Sequence, residues 1–386
     1  MRKQAKKQAN WSSVLASVCM LWIAVSFASA NDVLCESSDF LGSYGTPDDA
    51  RDVVVVGSIA YVAAADSGLQ VFDTSDPGAA VLLGSYDTPD FAFGVTVVGT
   101  TAYVADRMSG IVILDVSDPA APALLGTYDT PDTAFDVAVV GTTAYVADGW
   151  TGLEIIDVSD PTAPVLLGGY DLINEARNVT IVGTTAYVAN SWSGFVILDM
   201  SDPAAVALLG SYDTPGLASS VTVVGATAYV ADASSGFHIF DVSNPAIPVL
   251  LGSYNTIGSV KSMTVVGTRA YVADGWMGFS VFDVSDPASA VLLGAYDTPD
   301  NAFGVDVVDT TAYVVDGESG LLIFDVSDCL ACSADLTGEG DLNFLDVSAF
   351  LQAFGNQDPI ADTTGDGSWN FLDVSRFLQD FANGCS

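Results

Sequence analysis

The chain has 386 residues, half of them hydrophobic, with ten lysines and arginines against 48 acids and a net charge of −38 at pH 7. That balance repels nucleic acid and anionic lipid surfaces, and excludes both as partners. No internal run of about 18 uninterrupted apolar residues offers a membrane span; the apolar residues come in short Val, Ile, Leu and Tyr runs split by Gly, Pro, Asp and Thr, the pattern of an all-β protein.

The N-terminus differs. Arg2, Lys3, Lys6 and Lys7 form a basic head, Val14 to Phe27 is mostly apolar, and Ala28-Ser29-Ala30 is a small-residue cleavage sequence. Together they predict a secretory signal over residues 1–30 and an exported product (extracellular, periplasmic or on the cell surface) with no membrane span after cleavage. Cleavage leaves six basic residues against 48 acids, a net charge of −42. Most of these acids read as turn aspartates and solubility groups. Four cysteines remain: Cys35, Cys329, Cys332 and Cys385. An even number in an exported chain favours disulfides, with three pairings open.

Beyond this leader one unit dominates. Ala-Tyr-Val recurs seven times, with tyrosines at 61, 103, 145, 187, 229, 271 and 313, each 42 residues after the last. A period of about 40–45 residues holding several short strands marks a β-propeller blade. Residues 31–328 are therefore predicted to form a seven-bladed propeller of four-stranded antiparallel blades. In the unit 94–136, strands run Gly94 to Val98, Thr101 to Ala105, Ile111 to Val116 and Leu124 to Tyr128. Gly110, repeated at 68, 152, 194, 236, 278 and 320, suits a positive φ, and Ser117-Asp118-Pro119 is a turn.

The ring also needs closing. Phe40-Leu41-Gly42-Ser43-Tyr44 matches a fourth strand such as Leu82 to Tyr86, while the seventh unit ends after three strands at Val326. The N-terminal strand is predicted to complete the last blade and hide two edges. Cys35 and Cys329 share one repeat phase, seven periods apart. A bond between them would lock the seam, with a gain on the order of 4–5 kcal/mol in the chain-entropy treatment.

The repeats, as in Asp136-Val-Ala-Val-Val-Gly-Thr-Thr-Ala-Tyr-Val-Ala-Asp148 followed by Gly152-Leu-Glu-Ile-Ile-Asp-Val-Ser-Asp-Pro161, resemble the LVIVD-repeat family over about residues 40–328. The resemblance implies a propeller and an exported habit. It implies no reaction.

After Cys329 the composition shifts. Asp335, Thr337, Glu339, Asp341, Asn343 and Asp346 place side-chain oxygens at loop positions 1, 3, 5, 7, 9 and 12, with Gly340 at 6. The pattern returns 27 residues later as Asp362, Thr364, Asp366, Ser368, Asn370 and Asp373, with Gly367. This is EF-hand spacing: hard oxygens wrap Ca²⁺, position 7 offers a carbonyl, and glycine allows the sharp turn. Each loop leads into an apolar-periodic helix. Aspartate at position 12 and one helix per loop resemble a type I dockerin, of the kind ending in Gly-Cys. Residues 329–386 are thus expected to bind two calcium ions, to dock on a cohesin-like or cell-surface partner, and to close with Cys332 and Cys385 at their ends. Threonine at position 3 departs from the usual Asp or Asn and predicts weaker binding.

On the ring, the position before each first strand reads Arg51, Phe93, Phe135, Arg177, Ser219, Lys261, Phe303. In the loop between second and third strands one register holds Trp150, Trp192 and Trp276, with Arg107 beside it in blade 2. Strand order puts both loop sets on one face. Four of the six remaining cations fall there, so a cationic, aromatic-rimmed mouth is expected for an anionic, sugar-like or protein ligand. The competing reading is that the aromatics fill blade junctions and the cations balance aspartates.

The catalytic signal is thin. His238, the single histidine, lies inside a strand. No nucleophile elbow, zinc cluster, P-loop or dinucleotide fingerprint occurs, and the aspartates repeat identically in every unit. The residues favour a binding protein over an enzyme. The alternative is a carbohydrate-active or polysaccharide-binding component with a site at the mouth.

Overall fold

The computed structural model describes residues 40–327, 344–356, 361, 374 and 377. The signal segment and all four cysteines lie outside these residues.

Seven four-stranded antiparallel sheets form the seven blades of a propeller. In blade 1, β2 (Asp52–Val56), β3 (Ile59–Ala63), β4 (Leu69–Asp73) and β5 (Val81–Tyr86) run in sequence order. The expected closure is present. Strand β1 (Phe40–Tyr44) pairs with Leu321–Asp325 and becomes the fourth strand of blade 7, joining Phe40 to Phe324 and Tyr44 to Leu321. The register slips by one residue here as it does in every other blade, for instance between Val71 and Phe72. The seam thus repeats the geometry of an ordinary blade.

Second and third strands are buried nearly throughout, as Ala102 to Ala105 and Ile111 to Leu114 illustrate, and adjacent blades share their apolar clusters. The fourth strands are less covered than the second and third. Val81 and Leu82 are exposed, and so are their repeat mates, because the outermost strand of a blade flares away from its neighbours. Its glycine is nonetheless fixed by packing: a Cβ at Gly84 would lie 2.7 Å from the Pro119 carbonyl oxygen of the next blade.

Local chemistry explains the loops. Gly110 has φ +69°, and a Cβ there would collide with the Tyr128 carbonyl, so glycine at this register satisfies two constraints at once. Asp115 Oδ1 accepts from Ser117 N at 2.9 Å and Asp118 Oδ1 from Ala120 N at 3.1 Å, which is the turn role that their repetition implied. A third, buried aspartate register ties the two loop sets of one face together. In blade 3, Asp148 accepts from Thr130 Oγ1 at 2.6 Å and Asp132 N at 3.1 Å.

Near the C-terminus, helix α1 (Phe344–Asn356) begins at position 10 of the first loop, and Asp346 falls in its first turn. Phe350 and Phe377 stack with ring centroids 4.0 Å apart, and Ala361, Val347 and Val374 join them. No helix among the described residues is long and apolar enough to cross a membrane.

Candidate functional site: the mouth of the central bore

The seven residues that precede the first strands converge. Arg51, Phe93, Phe135, Arg177, Ser219, Lys261 and Phe303 all line one depression of about 170 Å³ at the end of the bore. Each comes from a different blade, because the same register on seven related units must face the same axis. The cations stand in blades 1, 4 and 6, close to as evenly spread as seven positions allow.

Aromatic rings support the cations. The Arg51 guanidinium carbon lies 4.1 Å from the Phe303 ring centre and 5.1 Å from that of Phe91. Arg177 sits 4.9 Å from Phe135, and Phe91, Phe93 and Phe135 form a chain with centroids 4.7 and 5.2 Å apart. The packing roles read from the sequence are present: the rings pack together and against the cations. Arg51 pairs with Asp49 at 2.7 Å and Arg177 with Glu175. Lys261 donates to Ser259 Oγ at 3.2 Å and makes no ion pair among the described residues. Its ammonium is pushed to a lower pKa by burial first, then by Arg177 and Arg51. The three charges thus sense one another across the opening.

A second ring lies one residue further in, which sequence reasoning missed. Asp52, Asp136 and Asn178 line the same depression, each bonded to the next inner strand: Asp52 Oδ2 accepts from Val95 N (2.9 Å), Asp136 Oδ2 from Val179 N (3.0 Å) and Asn178 Nδ2 (2.7 Å), and Asn178 Oδ1 from Val221 N (2.9 Å). Two residues further along the strand, Asp306 Oδ2 accepts from Val55 N at 2.8 Å, across the seam. All three carboxylates are half-buried, and Asp52 and Asp136 line the depression. Burial raises all three pKa values, and Asp52 reaches about 7 through burial, then the charge of Asp136, with a smaller push from Asp306. The signal that could have found them is a departure from register: beside Asp52, Asp136 and Asn178 the other blades carry Gly or Ser, and at the place of Asp306 they carry Val, Thr or Ala.

The tryptophans stand further out on the same face. Bridges such as Gly149 to Ala176, Ser191 to Ala218 and Gly275 to Ala302 bind each second-to-third-strand loop to the entry of the next blade. Trp150, Trp192 and Trp276 are exposed there and do not line the depression. Arg107 is also exposed, 3.6 Å from Asp90. The mouth and the tryptophans are thus an inner and an outer zone of one face.

His238 is buried, with Nε2 3.0 Å from Asp232 Oδ2 and Nδ1 2.9 Å from Ser253 Oγ. Asp232 also holds Thr214 Oγ1 and Gly216 N. The histidine is a packed polar link in blade 5, as its place in a strand predicts. Among the described residues no group of three or more His, Cys, Asp or Glu side chains is gathered for a metal. Of the calcium-loop residues, eleven lie outside the described residues. The twelfth, Asp346, falls in the first turn of helix α1.

Solved structures with the same architecture are distant in sequence. The WD40 β-propeller domain of Doa1 is 12% identical, with a TM-score of 0.62 over 74% of this chain and 96% of that one. U3-55K is 9% identical with a TM-score of 0.64, over 75% and 99%. BamB from Moraxella catarrhalis is 13% identical with a TM-score of 0.53, over 72% and 84%. At such identities they show the fold alone. No curated protein matches the chain in sequence. The LVIVD repeat matches seven times, at residues 47–88, 91–130, 132–172, 174–214, 215–256, 257–298 and 301–329. Seven such units on a seven-bladed ring make the chain a member of the LVIVD-repeat family.

Proposed function

We propose that this chain is an exported, non-enzymatic interaction protein. Its propeller captures an anionic ligand at the cationic mouth, and its C-terminal segment docks it, as a calcium-dependent dockerin-like module, on a cohesin-like or cell-surface partner. The observation that carries the first half is the convergence of Arg51, Arg177 and Lys261 on one depression in a strongly acidic chain. A cluster of cations at a recessed opening draws anions toward it locally, within a chain whose overall charge repels them. The second half rests on the duplicated oxygen-rich loops and on the Phe350–Phe377 stack, which joins residues one loop repeat apart.

A second reading, a polysaccharide-binding or polysaccharide-degrading component, draws on exposed Trp150, Trp192 and Trp276, whose flat faces suit sugar rings. The degrading version needs an asymmetric carboxylate pair within reach of a bond, and Asp52 and Asp136 are instead tied to neighbouring strands.

Titration of the full chain with an oligogalacturonate, a neutral cello-oligosaccharide and an acidic peptide tests the reading. Binding of an acidic probe, lost in the Arg51→Ser/Arg177→Ser/Lys261→Ser variant, is the expected result. Binding of the neutral sugar alone, unaffected by that variant, overturns it.

A further inference from the structure

The face around the mouth is not uniform. In blades 3, 4 and 6 its loops present apolar side chains, Trp150, Ile173, Trp192, Ile257 and Trp276, with Met108 in blade 2, all exposed, while blade 5 carries Pro215 and Ser234 at these registers. Ile173 and Ile257 are 87% and 75% exposed, and they occupy the loop register where the other five blades carry proline. The entry loops of blades 2, 3 and 4 also carry acids (Asp90, Asp132, Glu175), but in blades 7 and 1 acids stand without the exposed Trp, Ile or Met. Asp300, Glu318, Asp48, Asp49 and Asp66 stand there, and Asp48, Asp49 and Glu318 line a second pocket of about 260 Å³ with Thr46 and Pro47. One side of the rim is richer in apolar groups, the other richer in acids, and the centre carries three cations above Asp52 and Asp136.

The apolar side also departs from the repeat in its scaffolding. Where blades 2, 3, 5, 6 and 7 tie the entry loop down with a buried aspartate, blade 4 has Asn190, whose Oδ1 is buried without a partner. The residue it would bind is Leu172 instead of threonine, and the loop is held by Asn174 Nδ2 on Ser193 Oγ at 2.6 Å. A repeat protein keeps its symmetric chemistry wherever folding alone decides. Blade 1 also lacks the aspartate, with Ala64 in its place, but only blade 4 adds three successive departures, Leu172, Ile173 and Asn174, beside Arg177.

From this arrangement, and resting on the reading of the mouth as an anion site, we infer that the ligand is a loop of a partner protein: a carboxylate at its tip enters the mouth between Arg51, Arg177 and Lys261, apolar side chains lie on the Trp150–Trp276 arc, and basic side chains face Asp48, Asp49 and Glu318. Two arguments choose a protein over a glycan. Branched aliphatic side chains such as Ile173 and Ile257 give sugars neither a flat face nor a hydrogen bond, whereas protein interface centres are enriched in aromatic residues, Met and Arg, the types gathered here as Trp150, Trp192, Trp276, Met108 and Arg177. The three-zone charge pattern also fixes one orientation of a polypeptide loop, which carries acidic, apolar and basic groups at defined steps. A uniformly acidic glycan would meet the acid-rich side of the rim unfavourably.

The test is a selection with disulfide-closed random heptapeptide loops on the immobilised full chain, followed by affinity measurements with the selected peptides and with an oligogalacturonate. The expected outcome is enrichment of loops with Asp or Glu at the tip. Their affinity should fall about tenfold or more in Ile173→Ser/Trp192→Ser and again in Arg177→Gln, with no change in Asp118→Ser on the opposite face. The first variant alters exposed side chains only, and an unchanged melting temperature confirms its fold. Three results overturn the inference: no enriched loops, enriched loops with neutral tips, or enriched loops indifferent to Ile173→Ser/Trp192→Ser. If the oligogalacturonate binds through Arg51, Arg177 and Lys261 while no acidic loop does, the loop partner is wrong and the anion-binding mouth stands. If acidic loops bind and lose affinity only in Asp118→Ser, both fail.

Discussion

The Arg51 guanidinium of blade 1 packs 4.1 Å from the ring centre of Phe303 in blade 7, a contact spanning 252 residues of sequence. It exists because the ring closes: with β1 completing blade 7, the first and last blades become neighbours, and the register facing the bore runs unbroken across the seam. The site is thus a product of closure as much as of any one blade.

The carboxylates under the cations make stability depend on pH. Folding raises the pKa of Asp52 from 3.8 to about 7, so the folded protein binds this proton more tightly than the unfolded chain. Stability from this group is fully present below pH 3.8 and is lost as pH rises toward 7. Melting temperature should therefore fall between pH 4.5 and 7 by more in the wild type than in Asp52→Asn. Glu154, raised from 4.5 to about 7 by burial and then by Asp148 and Asp171, acts in the same direction. Differential scanning calorimetry of Asp52→Asn and of Glu154→Gln checks this. A steeper slope in Asp52→Asn contradicts it.

Gly110 bears on the face through the loop it closes. Gly110→Ala forces a Cβ into the Tyr128 carbonyl at φ +69°, and a destabilisation of roughly 1–3 kcal/mol is expected. Chemical denaturation measures it. Gly99→Ala, also at positive φ but with open space around its Cβ, should cost less.

The C-terminal segment should take up two calcium ions. Titration calorimetry of the full chain should show one site lost in Asp346→Ala and one in Asp373→Ala, since position 12 supplies a closing carboxylate. Phe350→Ala, which removes a side chain 1% exposed from the stack on Phe377, should weaken both sites together. Calcium heat unchanged in all three variants would remove the dockerin-like reading.

How much of this was legible in the sequence follows from what each residue touches. Blade number, strand positions and the closing strand Phe40–Tyr44 were legible because a fixed 42-residue period leaves no freedom in register. The convergence of Arg51, Arg177 and Lys261 followed from the same period. Asp52 and Asp306 were not seen, because the amide each one binds belongs to the next blade, and the composition of one strand says nothing of its neighbour across a bore. His238 was legible as a packed residue, but its partners Asp232 and Ser253 come from a loop and an outer strand that only the fold brings together. Ile173 passed unnoticed because an aliphatic residue between strands reads as core until its exposure is known.

The most direct test of the central claim measures the affinity of the full chain for an acidic peptide at low and high salt. The wild type is compared with Arg51→Ser/Arg177→Ser/Lys261→Ser and with Asp118→Ser/Asp160→Ser/Asp202→Ser. Removing the three cations should weaken binding by about tenfold or more and flatten its salt dependence, while the aspartate variant binds as the wild type does. Full binding by the cation variant, with loss in the aspartate variant, would contradict an anion-capturing mouth on this face.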